Sequence, residues 1–218
     1  MDRYRDRIEA GQVLADLVAR RSFERPVVIA LPRGGVPVAA EIAKRIGAPL
    51  DLIMVRKIGV PGHRELAMGA VVDGDRPEIV VNDEIARHAG FDRRDIERLA
   101  DPELETIAKR RTTYLQGRKH AALEGRTAIV VDDGIATGAT MRAALRAIAG
   151  KNPARIVLAV PVAAPDSLAL LRPEVDEVIC PTQPAFFDAV GAFYAHFAQT
   201  TDEEVVRLMA AAPPDASA

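Results

Sequence analysis

Two stretches of this chain follow one order: an apolar run, a glycine-rich loop, a helix-forming segment closed by glycine, and a second apolar run. The first covers an apolar run at 27–31, a loop at 32–35, a predicted helix over 36–46 stopped by Gly47, and a predicted strand over 50–55. The second covers 129–131, a loop of small residues, a predicted helix over 140–149 stopped by Gly150, and a strand over 156–160. Near-continuous apolar strands are buried on both faces, and parallel neighbours need a crossover, so each stretch reads as a βαβ unit. The pattern predicts an α/β fold in which both units share one mainly parallel central sheet flanked by helices. Ligands of such sheets bind beyond the carboxyl ends of the strands, where the chain order reverses. The two glycine-rich loops are predicted to meet there.

The loop of the second unit is the more informative. Residues 129–140 read Ile-Val-Val-Asp-Asp-Gly-Ile-Ala-Thr-Gly-Ala-Thr. Gly134, Gly138 and Ala139 allow a tight turn with inward amides, and a phosphate would sit on those amides at the N-terminus of the following helix. Ile135, Ala136, Thr137 and Thr140 complete that cradle. Asp132 and Asp133 repel phosphate but suit the vicinal hydroxyls of a ribose, as charge-assisted acceptors. The loop of the first unit, Pro32-Arg33-Gly34-Gly35 after Leu31, can present successive amides and a guanidinium to a second anion. Turning amides inward predicts a strained or cis peptide between Pro32 and Gly34. A third segment, Val55-Arg56-Lys57-Ile58-Gly59-Val60-Pro61-Gly62-His63-Arg64-Glu65, places two cations at a strand end before a Pro-Gly turn, as in a mobile loop with a charged base. Arg56 and Lys57 would neutralise a departing pyrophosphate, and Glu65 is a candidate general base.

Taken together, these strings resemble the motifs of type I phosphoribosyltransferases. Val131-Asp132-Asp133 with Ala136-Thr137-Gly138 is similar to the adenine-type form, and the 55–62 segment resembles the Val-Arg-Lys loop of that branch with one residue fewer before Pro61. Over the whole chain the likeness is to a bacterial group of phosphoribosyltransferases of unestablished acceptor. The resemblance implies the type I fold with a small C-terminal hood, and transfer of a 5-phosphoribosyl group from phosphoribosyl pyrophosphate to a nitrogenous base. Mg²⁺ would be held mainly by substrate and water, with no direct protein ligand. It also implies that Asp132 and Asp133 hold the ribose, residues 134–140 the 5-phosphate, and Pro32, Arg33, Gly34, Gly35 and Arg56 the pyrophosphate. Relatives that read 6-oxopurines use an acid in the phosphate loop where this chain has Ala136, so the expected base is purine-like but not a 6-oxopurine. Homodimers are common in the family. Some relatives bind phosphoribosyl pyrophosphate without turnover, which gives the alternative of a regulator. A diphosphokinase is disfavoured, because no nucleotide site or duplicated domain is legible.

The remaining segments bound the reading. At 218 residues the chain is long enough for one large domain. We expect a single domain over 1–212, with a core at about 22–180, an amphipathic N-terminal helix lying on the body, and a hood over about 181–212. Residues 213–218 read as a disordered tail. The segment from Pro181 to Phe197 carries four of the six Phe and one of the three Tyr, and Phe186, Phe187 and Tyr194 are candidates to stack on a base. A hairpin over 67–72 and 78–81 is predicted to extend the sheet at one edge, and a helix over 92–117 to break near Pro102. Lys plus Arg number 29 against 31 Asp plus Glu, so no general basic field points to nucleic acid or lipid. A charged start and no long apolar run point to a cytoplasmic protein. The single cysteine, Cys180, reads as a packed thiol.

Overall fold

The computed structural model describes residues 3–74, 77–213 and 215, leaving out the side chains of 63–66. The first unit is β1 (Pro26–Ala30), α2 (Gly35–Ile46) and β2 (Leu50–Leu52), preceded by α1 (Arg7–Ala19). The second is β6 (Thr127–Val131), α5 (Ala139–Ala149) and β7 (Arg155–Ala159), continued by α6 (Pro165–Leu171) and β8 (Glu177–Ile179). All five strands are parallel, in the order β2-β1-β6-β7-β8. The chain order therefore reverses between β1 and β6, and the loops leaving those two strands flank the crevice.

Alternation along the strands builds two cores. Val28 and Ala30 of β1, Ile129 and Val131 of β6, and Val157 and Ala159 of β7 face the layer that contains α1 and α2. Their neighbours Val27, Ile29, Ala128, Val130, Ile156 and Leu158 face the layer that contains α5 and α6. Every one of these positions is buried, as a sheet covered on both faces requires. The arrangement is the α/β fold expected, a parallel central sheet flanked by helices.

Several sequence expectations are corrected. The run 50–55 is not one strand: β2 ends at Leu52, and β3 (Val55–Val60) belongs to a second sheet. Ile53 N–H still extends the parallel ladder to Ala30 O at 3.0 Å, whereas Met54 O accepts from Asp73 N in the new one. Ile53 and Met54 are buried in different cores, so the apolar run continues through the change of sheet. The hairpin likewise adds nothing to the edge of the parallel sheet. β4 (His63–Val72) and β5 (Glu78–Val81) form an antiparallel three-stranded sheet with β3, in the order β3-β4-β5. The Pro61-Gly62 segment is a tight turn between β3 and β4, with Gly62 at φ 83° in a conformation that favours glycine. α3 (Asp83–His88) was not anticipated, since six residues give too little periodicity. α4 (Arg93–Leu115) runs unbroken through Pro102 and buries Ile96, Ala100, Ile107, Tyr114 and Leu115.

The hood is also redrawn. α7 (Asp202–Ala211) packs Val205 and Met209 into the core beside α2 and α4, so it belongs to the body. The chain start instead joins the aromatic segment: Tyr4 N donates to Phe193 O at 2.9 Å and Ala195 N to Tyr4 O at 2.7 Å. Of the expected tail, Pro213 and Asp215 are described, and Asp215 pairs with Arg126 at 2.6 Å; the rest lies outside the described residues. No helix among the described residues is long and apolar enough to cross a membrane.

Candidate active site

Because Ala30 of β1 is level with Val131 of β6, and Leu31 N donates to Val131 O at 2.9 Å, the loops 32–35 and 132–138 leave the sheet side by side. They touch. A Cβ on Gly34 would lie 2.1 Å from Asp133 Oδ2, and one on Gly35 would lie 2.8 Å from Val131 O and 2.9 Å from the Asp132 Cα. No side chain fits at either position. The peptide between Pro32 and Arg33 is cis, within the segment where a special peptide was expected.

The acid pair has an asymmetric setting. Asp132 Oδ1 accepts the Asp133 N–H at 2.8 Å, while Asp133 Oδ2 takes the Arg7 Nε at 2.7 Å. Tyr194 donates its hydroxyl to the Asp133 carbonyl at 2.6 Å. Among the described residues, nothing donates a hydrogen bond to Asp132 Oδ2 or Asp133 Oδ1. Loss of hydration, and then the charge of Asp133 beside it, hold the Asp132 carboxyl well above the usual carboxylate range, with Arg7 acting in the opposite sense. Two acceptor oxygens are left for a pair of hydroxyls.

The 134–140 loop is braced from behind. Ile135 is buried, its N–H donates to Val162 O at 3.0 Å and its carbonyl accepts from Ala164 N at 2.9 Å. The Ser167 hydroxyl donates to the Ala136 carbonyl. Ile135 therefore anchors the loop, and its amide is not available to a phosphate. Gly134 is pressed against the hood, since a Cβ there would come 2.6 Å from Val190 Cγ1. Gly138 enters α5 at φ 74°, and no side chain caps the first turn. That turn offers free N–H groups and the positive end of the helix dipole, which suit an anion. A cavity of about 310 Å³ opens against it, lined by Lys57, Thr137, Gly138, Ala139, Arg142 and Arg146.

The other candidates separate. Lys57 lines the cavity beside the 134–140 loop, but Arg56, its neighbour on β3, pairs with Glu103 of α4 at 2.6 Å, as strand alternation sends adjacent side chains to opposite faces. Arg33 pairs with Asp202 at 3.3 Å, and Asp202 also accepts the Tyr114 hydroxyl at 2.6 Å. Tyr194 is not a stacking platform: its ring is 3% exposed between Tyr4 and Phe197, and its hydroxyl holds the Asp133 backbone. Phe187 stacks on Phe193 with centroids 5.3 Å apart, while Phe186 is 94% exposed. The Glu65 side chain lies outside the described ones. Burial pushes the Cys180 thiol up to about 11, which disfavours the thiolate.

A sequence model described as "Phosphoribosyl transferase domain" matches residues 2–194. The chain belongs to that family. It is 43% identical over 210 residues to a Mycobacterium tuberculosis protein named "Putative phosphoribosyl transferase", a match covering 96% of this chain and 47% of that protein. The chain thus spans about half the length of the curated relatives it matches. Among solved structures, the Thermus thermophilus protein TT1426 aligns with a TM-score of 0.84 at 43% identity, covering 95% of this chain and 97% of that one. The Aquifex aeolicus protein AQ2163 aligns at 0.50 and 12% identity over 85% and 78% of the two chains, a likeness of fold alone.

Three residues at this candidate site were not expected from the sequence. Arg142 and Arg146 stand one turn apart on α5, and both bond to Glu174, at 3.0 and 3.1 Å. Their spacing four residues apart, just after the phosphate loop, was a readable signal. Arg7 was not readable. It lies 126 residues from its carboxylate partner in a helix whose pattern marks only a body-packing face.

Proposed function

We propose that this chain transfers the 5-phosphoribosyl group of phosphoribosyl pyrophosphate to a nitrogenous base and releases pyrophosphate. The observation that carries the reading is the interlock of the two loops, in which Gly34 and Gly35 lie directly on Asp132 and Asp133. A ribose placed on the free oxygens of the acid pair has the uncapped turn of α5 on the same loop for its 5-phosphate. Of the 32–35 loop, the Arg33 and Gly34 N–H groups lie beside it for the pyrophosphate, since Pro32 has no N–H and Gly35 N donates to Leu31 O at 3.1 Å.

In the reaction, the bond from ribose C1 to the pyrophosphate oxygen breaks, with its electron pair leaving on the pyrophosphate, and a bond from the base nitrogen to C1 forms. The acid pair fixes the sugar and offsets positive charge developing at C1, and Lys57 with the Arg33 and Gly34 N–H groups holds the negative charge that leaves. Asp132 Oδ1 is already taken by the Asp133 N–H and Asp133 Oδ2 by Arg7, a setting that suits Mg²⁺ carried by substrate oxygens and water rather than enclosed by protein. When bound, that ion screens the leaving group. Glu65, on the hairpin that carries Lys57, is the candidate to take the proton of the base. Ala136 supplies no acid to read a 6-oxo group, so the acceptor is a planar base of another kind.

The test is a screen of purines, pyrimidines and small nitrogen heterocycles for nucleotide formation and pyrophosphate release, with phosphoribosyl pyrophosphate and Mg²⁺ present. At least one base should turn over. Tight binding of phosphoribosyl pyrophosphate with no product from any base would replace the reading with a sensor, and ATP-dependent diphosphate transfer would replace it with a kinase. Within an active pair, Lys57→Ala should lower kcat by roughly 100-fold, the scale for losing one preorganised charge partner of the leaving group, with the melting temperature unchanged. A loss confined to KM would assign Lys57 to ground-state binding instead.

A further inference from the structure

The sugar site contains a cation that the transfer reaction does not call for. Arg7 stands at the first position of α1, and its direction is set before the helix begins. Tyr4 and Arg5 are hydrogen-bonded to the 193–196 segment, and Asp6 caps α1 by accepting from Glu9 N at 2.9 Å. From there Arg7 uses its Nε on Asp133 Oδ2 at 2.7 Å and its Nη1 on the Ala198 carbonyl at 2.6 Å, and its guanidinium lies 3.9 Å above the Phe197 ring. The pair is largely buried, with 12% of the Arg7 and 14% of the Asp133 side chain exposed. Asp133 Oδ2 is also the atom packed against Gly34. Its two neighbours, the Gly34 backbone and Arg7, restrict the rotation of the carboxylate and leave Oδ1 unengaged among the described residues.

We infer that Arg7 is a positioning residue of the sugar site, which locks Asp133 in the orientation that receives a ribose hydroxyl and balances the charge of the two adjacent carboxylates. This rests on the reading of Asp132 and Asp133 as ribose acceptors. The role needs an arginine. Nε and Nη1 are spent on different partners while the flat face covers a ring, an arrangement that one ammonium group cannot reproduce. It also couples the sugar site to the hood, because the partners of Arg7 other than Asp133 are Phe197 and Ala198.

Among the described residues, few charges face the acid pair. Arg7 comes from α1, Tyr194 from the hood with burial raising its pKa, Tyr4 stands behind Tyr194, and the carboxylates face each other. With Arg7 removed, Asp132 loses the cation that acts against its raised pKa, so its carboxyl takes up a proton at a higher pH than before, and less sugar is bound at low pH. Binding should recover as pH rises and the Asp132 carboxyl ionises. A purely structural arginine would give a loss independent of pH.

The experiment measures phosphoribosyl pyrophosphate binding to the full chain by calorimetry with Mg²⁺ between pH 5.5 and 8.5, for wild type, Arg7→Met, Arg7→Lys and Asp133→Asn. Inorganic phosphate serves as a probe of the 134–140 loop alone. For Arg7→Met the expected result is a loss of tenfold or more at pH 5.5 that shrinks toward pH 8.5, with phosphate binding unchanged. Arg7→Lys should fall between it and wild type, and it carries the comparison if Arg7→Met does not fold. Wild-type affinity in both Arg7 variants across the range overturns the inference, as does an equal loss of phosphate and phosphoribosyl pyrophosphate at every pH. Undiminished affinity in Asp133→Asn overturns the underlying ribose reading instead.

Discussion

Replacing Asp132 and Asp133 together by Asn is expected to lower kcat/KM for phosphoribosyl pyrophosphate by about 10²- to 10⁴-fold while leaving the fold intact. The size follows from the hydroxyls that each carboxylate is free to accept. A hydrogen bond to a charged group contributes about 1.5–3 kcal/mol, so two contribute roughly 3–6 kcal/mol, and each 1.4 kcal/mol is a factor of ten in rate. Retention of the fold follows from the same site. The native pair holds two like charges together, with Asp132 pushed up by lost hydration and by Asp133, so neutral amides relieve repulsion that folding must otherwise overcome. After Asp133→Asn, the side-chain amide oxygen can still accept from Arg7. Steady-state kinetics on the active base, calorimetric binding of phosphoribosyl pyrophosphate and a thermal melt check both halves. Activity within fivefold of wild type would remove the acid pair from the sugar site.

The parts of this molecule that were legible in the sequence are those encoded locally. The runs at 27–31 and 129–131 could only be buried parallel strands, their small-residue loops followed at once, and the register of Ala30 with Val131 made those loops meet. What failed needed information from elsewhere in the chain. The run 50–55 is apolar throughout because both sheets bury it, so no break in composition marks the change at Ile53 and Met54. Tyr194 was a candidate to stack on a base or to pack, and what decides for packing, Tyr4 and the Asp133 carbonyl, lies at distant positions. Arg56 and Lys57 read as twins, yet alternation along β3 sends one to Glu103 and the other to the cavity beside the 134–140 loop. Pro102 suggested a broken helix, but α4 continues through it.

The second large effect lies away from the active site, where the two sheets are tied by buried charge. His120 Nδ1 meets Asp51 Oδ1 at 3.0 Å, and Nε2 stands 3.4 Å from Asp73 Oδ2, a charge contact without hydrogen-bond geometry. Asp51 lies on β2, and Asp73 follows β4, so the histidine bridges the parallel sheet and the hairpin that carries Lys57. The side chains of His120 and Asp73 are 5% and 1% exposed. Arg111 adds a second cation to the cluster, 3.9 Å from Asp73 Oδ1. Burial alone would lower the His120 pKa, but Asp51 and Asp73 overcome it and raise the value from 6.5 to about 9. A group whose pKa is raised on folding stabilises the native state fully below its unfolded pKa and loses that contribution as pH climbs through the folded one. Wild-type stability should therefore fall between about pH 6.5 and 9, by roughly 3 kcal/mol from this group. His120→Leu leaves the two carboxylates without that cation at any pH, at an expected cost of about 3–5 kcal/mol near neutrality, or a melting temperature lower by roughly 10 °C. Above pH 9 the neutral imidazole of the wild type leaves the same carboxylates without the histidine's charge, so the two proteins should converge there. Denaturant unfolding of both from pH 6 to 10 reads the difference directly and cancels the other groups that titrate in that window. Parallel curves, with a constant gap at every pH, would show that His120 contributes packing and no charge.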